Sequence, residues 1–311
     1  MRIFLAGATG AIGSRLVPLL LDAGHEVVGT TRSPAKAEAL RAASAEPVVL
    51  DPLDRAAVVD AVASARPDAV VHQLTALADM GSMRDFDAAF ALTNRLRTEG
   101  TDHLLEGARA AGAGRFVAQS YAGWPTARSG GPVKSEDDPL DPDPVPSMSS
   151  TLAAIRHLER AVTEAGGIAL RYGAFYGPGT GLAPGAEQVE LLRKRRFPLV
   201  GDGGGVWSFV HIDDAAAATL AALERGAPGV YNVVDDEPAP AREWLPALAS
   251  AAGAKPPRHL PRWLARIAAG EAIAAMMTEI RGASNTTAKR ELGWRPAYPS
   301  WREGFAAVLS G

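Results

Sequence analysis

The sequence predicts an α/β fold: a doubly wound parallel sheet with a smaller C-terminal lobe. Three observations predict it. Short β-branched runs alternate with amphipathic stretches through the first 120 residues, the pattern of parallel strands joined by right-handed helical crossovers. Three glycines stand at the first strand-to-helix turn, in "LAGATGAIGSRLVPLL". The chain has 311 residues, 47% of them hydrophobic, enough to bury one large core and an appended lobe.

Taken in order, "RIFLAG", "EVVGTT", "PVVL", "DAVVH" and "RFVAQS" read as the first five strands, and "GIALRYG" as a sixth. Between strands four and five, residues 84–111 form one long helical pattern anchored by Phe86, Phe90, Leu104 and Leu105 and closed by Gly112 to Gly114. Residues 125–147 are rich in Pro, Gly, Ser and Asp and read as a long surface loop of the kind that often serves function. The stretch "SSTLAAIRHLERAV", 149–162, is an amphipathic helix with Leu152, Ile155, Leu158 and Val162 on its packing side. A helix over 213–224 should start at an Asp213/Asp214 cap. The expected division is a dinucleotide-binding domain over 1–175 with returning segments near 206–235, and a substrate-binding lobe over most of 176–311.

Composition removes several classes of function. A formal charge of −3 leaves no basic stripe for a phosphate backbone, so nucleic acid is not an expected partner. With zero cysteines there are no disulfides, thiolate metal sites or cysteine nucleophile. Six histidines are scattered without ligand spacing, so no metal is expected. No leader is read in "MRIFLAG" and no apolar run approaches the ~18 residues of a membrane span, so a cytoplasmic location without membrane contact is expected.

Gly7, Gly10 and Gly13 carry the clearest chemistry. In a loop that opens a helix, the first allows the tight turn, the second lets backbone approach a pyrophosphate, and the third lets helix and strand pack closely. Thr9, Ala11 and Ile12 fill the same cradle. Strand two ends in "TTRSPAK", where an acid for the ribose 2′-hydroxyl is usual. Arg32 stands there instead, with Lys36 a turn later, and a guanidinium suits a 2′-phosphate. NADP(H) is therefore the expected cofactor. After strand three, Asp54 reads as a helix cap, which leaves Asp51, with Leu53, to meet the adenine. Leu74, Thr75 and Ala76, at the end of strand four, should line the ribose and pyrophosphate. His72 before them reads as a core histidine more readily than as a proton carrier.

With "GATGAIG", Asn94, "GAGRFVAQS", "LRYGAFYGPG", "FVHIDDAAAATLAALE", "GVYNVVDDEP" and "LGWRPAYPSWREG", nearly the whole chain resembles the extended short-chain dehydrogenase/reductase superfamily, which includes NAD(P)-dependent sugar epimerases and dehydratases. The resemblance implies a Rossmann-type sheet and adds Asn94 and Tyr172 as cofactor neighbours. It also implies a hydroxyl after strand five, matched to within a residue by Ser120, and a Tyr-x-x-x-Lys pair on the next helix. In such a pair the tyrosine exchanges a proton with the substrate oxygen while hydride moves. Anchoring that helix on Glu159 puts Ile155 at the lysine position and Thr151 at the tyrosine position, and no tyrosine lies between 122 and 171.

Several readings follow from that departure. Tyr121 or Tyr176 could donate the proton; Arg156 could replace the lysine charge without titrating. Reduction of an activated alkene or imine could need no protein acid. The chain could bind NADP without turnover as a redox-sensing regulator, or act as a redox-neutral isomerase or lyase. The catalytic candidates are Ser120, Tyr121 and Thr151. Trp124, Phe175, Tyr176, Trp207 and Met276 are the substrate candidates, in segments that surround the substrate in the resembled superfamily; Phe209, Trp263 and Met277 lie nearby. Aromatic and methionine side chains suit a flat apolar ligand, though such residues are equally at home in a core. The expectation is an NADP(H)-dependent oxidoreductase of a small, fairly apolar ketone, enone or imine. The resemblance implies a homodimer through 84–111 and the helix from 148.

Overall fold

In the computed structural model, which describes residues 1–77 and 83–309, seven strands form one parallel sheet. We number them β1 (Arg2–Ala6), β2 (Glu26–Thr31), β3 (Glu46–Val49), β4 (Ala69–His72), β5 (Arg115–Tyr121), β6 (Ile168–Tyr172) and β7 (Gly229–Val233). Their order is β7-β6-β5-β4-β1-β2-β3. The chain runs outward from β1 in both directions, so the order reverses between β1 and β4, where Ile3 faces Val27 on one side and Ala69 on the other. A crevice opens at the carboxyl ends of strands at such a switch point.

The strands are continuous apolar runs because both faces of the sheet are covered. Ile3 and Leu5 point into a core shared with Leu16 and Leu20 of helix α1 (Ala11–Asp22). Phe4 and Ala6 point the other way, onto Val58 and Val62 of α3 (Arg55–Ala65); α2 (Pro34–Ala42) links β2 to β3. Asp54 caps α3 by accepting from Ala57 N–H at 3.1 Å.

The long pattern over 84–111 is not one helix. It divides into α4 (Phe86–Ala89), α5 (Ala91–Arg95), a π turn at Leu96–Gly100, and α6 (Thr101–Ala111), closed by Gly112 at φ +69°. The wide turn shifts the helical register, and such turns recur at functional sites. Next come α7 (Ser149–Glu164), α8 (Glu187–Arg193) and α9 (Ile212–Arg225). The start of α9 differs from expectation. His211 caps it, its Nδ1 accepting from Asp213 N–H at 3.2 Å. Asp213 pairs with Arg15 of α1, and Asp214 turns away to accept from Ala297 and Tyr298 N–H at 2.7 and 3.0 Å.

Residues 125–147 are more than a surface loop. Thr126, Lys134, Asp141 and Val145 are buried, and Val133–Lys134 pairs in parallel with Gly282–Ala283. The lobe is completed by α10 (Ala241–Ala251), α11 (Arg262–Ala269), α12 (Glu271–Thr278), α13 (Thr286–Glu291) and α14 (Trp301–Leu309). Tyr176, Val189, Phe209, Leu245, Trp301 and Phe305 form its own core. Among the described residues, no helix is long and apolar enough to cross a membrane, and no group of three acidic or histidine side chains could hold a metal.

Candidate active site

Backbone crowding at the mouth of the switch point explains two of the three glycines. Gly7 has φ +90°, and a Cβ there would stand 2.8 Å from the Gln73 carbonyl; on Gly13 it would lie 2.2 Å from the Gly7 carbonyl. Neither position admits a side chain. Gly10 is different: it is exposed, and a Cβ would meet only the Gly7 carbonyl, at 3.3 Å. Gly10 precedes α1 without giving its N–H groups a side-chain cap, so uncompensated donors and the positive end of the helix dipole face outward. This cradle fits a dinucleotide pyrophosphate.

The other proposed cofactor residues flank it. Thr9 donates to the Thr31 hydroxyl at 3.1 Å, tying the loop to the end of β2. Ala11 is exposed and Ile12 buried. Arg32 is exposed and forms no ion pair among the described residues, while Ser33 caps α2. Asp51 is exposed and accepts from Leu53 N–H at 3.0 Å. Leu74, Thr75 and Ala76 are half-buried beyond β4. His72 is enclosed, its Nε2 3.1 Å from the Thr101 hydroxyl and its Nδ1 accepting from Leu74 N–H, and burial pushes its pKa down to about 4. Tyr172 departs from expectation: its ring is wholly buried and its hydroxyl meets Thr219 at 2.7 Å and Gln73 at 3.1 Å. It is a core residue, with no surface left for a cofactor.

Two of the three catalytic candidates are also committed elsewhere. Ser120, 2% exposed, donates to Glu159 Oε1 at 2.6 Å. Glu159 in turn receives Arg171 through two bonds of 2.8 and 2.7 Å, so the hydroxyl completes a buried ion pair between α7 and β6. Thr151 is fully buried and gives its proton to Asp87 Oδ1 at 2.6 Å while accepting from Asn94 Nδ2 at 3.0 Å. Asp87, on α4, also accepts from Ser150 and Thr151 N–H, both at 2.9 Å. A carboxylate from another helix thus caps α7, whose first turn has only small hydroxyls. Ile155 is likewise fully buried. Tyr121 stays half-buried at the strand end; burial holds its phenol up at about 12 against the pull of Arg97.

The substrate candidates divide in a similar way. Trp124 packs edge-on against Phe86 at 5.3 Å and lies 6.4 Å from Tyr121. Phe175 is half-buried against Tyr172. Tyr176 is wholly enclosed between His211 and Phe305, each 5.2 Å away, so it belongs to the lobe core, and this enclosure removes it as a donor; burial also raises its pKa. Trp207 is half-buried, donating to the Met276 carbonyl at 3.0 Å. Phe209, Met276 and Met277 are buried, and Trp263 is 62% exposed. A cavity of about 520 Å³ at the lobe edge is lined by Val133, Asp235, Asp236, Asn285, Lys289 and Arg295 among others, and by none of these site residues.

Sequence reasoning missed Arg97, Asp87 and the Glu159–Arg171 pair as determinants of the site. A signal existed for two of them. Arg97 follows Phe90 by seven residues and precedes Leu104 by seven, on the buried stripe, and Glu159 follows Ile155 by four.

A sheet reversing at a glycine turn, with an uncapped helix above it, is the architecture of a nucleotide-dependent enzyme. The model of the NAD dependent epimerase/dehydratase family matches residues 3–233, and the chain belongs to that family. It is 49% identical over 309 residues to a 3-diazoavenalumate denitrifying reductase of a Streptomyces species, covering 98% of this chain and 99% of that one. It is 31% identical to a 2-alkyl-3-oxoalkanoate reductase of Stenotrophomonas maltophilia, over 82% of this chain and 76% of the relative. The solved UDP-glucose 4-epimerase of Thermus thermophilus, in complex with NAD, superposes with a TM-score of 0.75 at 26% identity, over 100% and 98% of the two chains. With a reductase 49% identical over nearly its whole length, the protein is an oxidoreductase.

Proposed function

We propose that the protein is an NADPH-dependent reductase that replaces the diazo group of a small aromatic acid by hydrogen. The observation that carries the reading is the commitment of two of the three candidate hydroxyls. Thr151 gives its proton to Asp87, Ser120 gives its proton to Glu159, and Ile155, at the position the resemblance gives to a lysine, is fully buried. A ketone that accepts hydride becomes an alkoxide and needs a proton at that oxygen. An arenediazonium that accepts hydride becomes an arene and dinitrogen; charge balances and no proton is added. The extensive similarity to a reductase named for loss of nitrogen from a diazo acid supports the same chemistry.

Gly7, Thr9, Gly10, Ala11, Ile12 and Gly13 would hold the pyrophosphate, Asp51 and Leu53 the adenine, and Leu74, Thr75, Ala76 and Asn94 the ribose and nicotinamide side. Arg32, exposed and without an ion pair among the described residues, would take the 2′-phosphate. When bound, the reduced nicotinamide supplies the hydride. The chain's own part is to position the ring: Tyr121, half-buried, would meet it beside the end of β5, with Trp124 and the buried Phe86 packed behind.

The test couples NADPH oxidation to dinitrogen release from a carboxylated arenediazonium salt, against a protein-free control. One-to-one stoichiometry above the control supports the reading; its absence, with turnover of 3-oxoacid substrates, refutes it. Similarity to a 3-oxoacid reductase favours a second reading. In that case Tyr121, whose phenol holds its proton, would be the donor, and Tyr121→Phe would abolish ketone reduction.

A further inference from the structure

We infer that Arg97 is the anion-recognising residue of the substrate site, holding an anionic oxygen of the aromatic substrate against the aromatic wall beside β5. The inference rests on the reductase reading for the identity of the molecule that enters the site.

Arg97 lies in the π turn between α5 and α6 and is 6% exposed. A guanidinium has five N–H donors, and when buried it is normally matched by a carboxylate because its desolvation is costly. Among the described residues Arg97 has no such match. Its polar contact is Nη1 to Asn94 Oδ1 at 3.5 Å, the limit of a hydrogen bond. The nearby carboxylate of Glu159 is already satisfied by Arg171 and Ser120. The other buried arginine, Arg171, shows the usual arrangement, a two-bond pair with Glu159.

The surroundings specify what is missing. The guanidinium lies 5.8 Å from the centre of the Phe90 ring, which stacks on Phe86 at 4.5 Å; Phe86 meets Trp124. Asn94, its neighbour, holds Thr151 at the head of α7. A cation is thus fixed where an aromatic cluster, Phe90 stacked on the buried Phe86 and Trp124 set edge-on to it, meets the head of the helix. Such a cation repels an arenediazonium unless the same molecule carries an oxyanion, which Arg97 can hold with charge-assisted hydrogen bonds. A carboxylate or a ring phenolate could supply that oxygen.

The experiment titrates NADP-loaded protein calorimetrically with 4-hydroxybenzoate, its methyl ester and 4-methoxybenzoate. Wild type is expected to bind at least one probe, and Arg97→Met to weaken it roughly ten- to hundredfold, the range for a lost charged hydrogen bond. A gap that disappears with the ester assigns the carboxylate; one that disappears with the methoxy probe assigns the phenol oxygen. Arg97→Lys, which keeps the charge, is expected to keep most of the affinity. Melting without ligand should show Arg97→Met at or above wild type, because a buried unmatched charge is gone; a lower melting temperature would mark a structural role and overturn the inference. It is also overturned if wild type binds no probe, if Arg97→Met binds the probes as wild type does, or if it loses NADPH affinity by the same factor. Failure to turn over a diazonium salt, with Arg97-dependent binding intact, removes only the reductase reading.

Discussion

Replacing Ser120 by alanine separates a structural hydroxyl from a catalytic one. The side chain is 2% exposed and donates to Glu159 at 2.6 Å. A hydrogen bond to a charged group contributes about 1.5–3 kcal/mol. With an unfolding entropy of about 2.1 cal/mol/K per residue, a 311-residue chain gives about 0.65 kcal/mol/K, so the loss corresponds to a Tm lower by ~2–5 °C. Glu159 keeps both bonds to Arg171, which favours the lower end. Turnover should change by less than ~3-fold, whereas removing a hydrogen-bond donor from a reacting oxyanion costs ~10²–10³ in kcat. Glu159→Gln is the companion variant. It leaves Arg171 buried without its counter-charge, costing about 3–5 kcal/mol and ~5–8 °C. Calorimetry and steady-state kinetics on the same preparations decide. A kcat reduced a hundredfold by Ser120→Ala at unchanged Tm would refute the reasoning.

Other consequences follow from the same structure. Arg32→Ala should raise the Kd for NADPH about tenfold and leave that for NADH nearly unchanged, measured by fluorescence titration; equal effects on both cofactors would remove Arg32 from the 2′-phosphate. Gly10→Ala, whose Cβ meets one atom at 3.3 Å, should melt close to wild type and bind cofactor poorly. Gly13→Ala, with a Cβ 2.2 Å from a carbonyl, should lose stability as well, and equal melting temperatures would contradict the packing account. His72 is held near pKa 4 by burial, against an ordinary 6.5. As pH falls from 6.5 to 4 the unfolded chain binds the proton first, so stability is complete above 6.5 and falls by up to about 3 kcal/mol toward pH 4. Urea midpoints for His72→Gln should vary less over that window than those of wild type.

The sheet was legible because its signals are local. β-branched runs, the glycine spacing, and Asp54 as a cap depend on residues a few positions apart, and each is found where the sequence places it. The role of Ser120 was not legible, because its partner Glu159 lies 39 residues away. Nor was the cap of α7, which Asp87 supplies across 64 residues to Thr151. Tyr172 illustrates the same difficulty: its strand position is visible, but Thr219 and Gln73, which claim its hydroxyl, are distant in sequence.

By itself the sequence determined which residues are apolar at which spacing, and therefore the order of strands and helices and the glycine turn between the first strand and helix. Tertiary structure decided which polar groups are already satisfied. A buried donor must be paired inside the protein or by a ligand, and pairing joins residues that periodicity does not relate. That is why Ser120 and Thr151 proved to be committed, and why Arg97, turned inward by the π turn, stands without a counter-charge among the described residues.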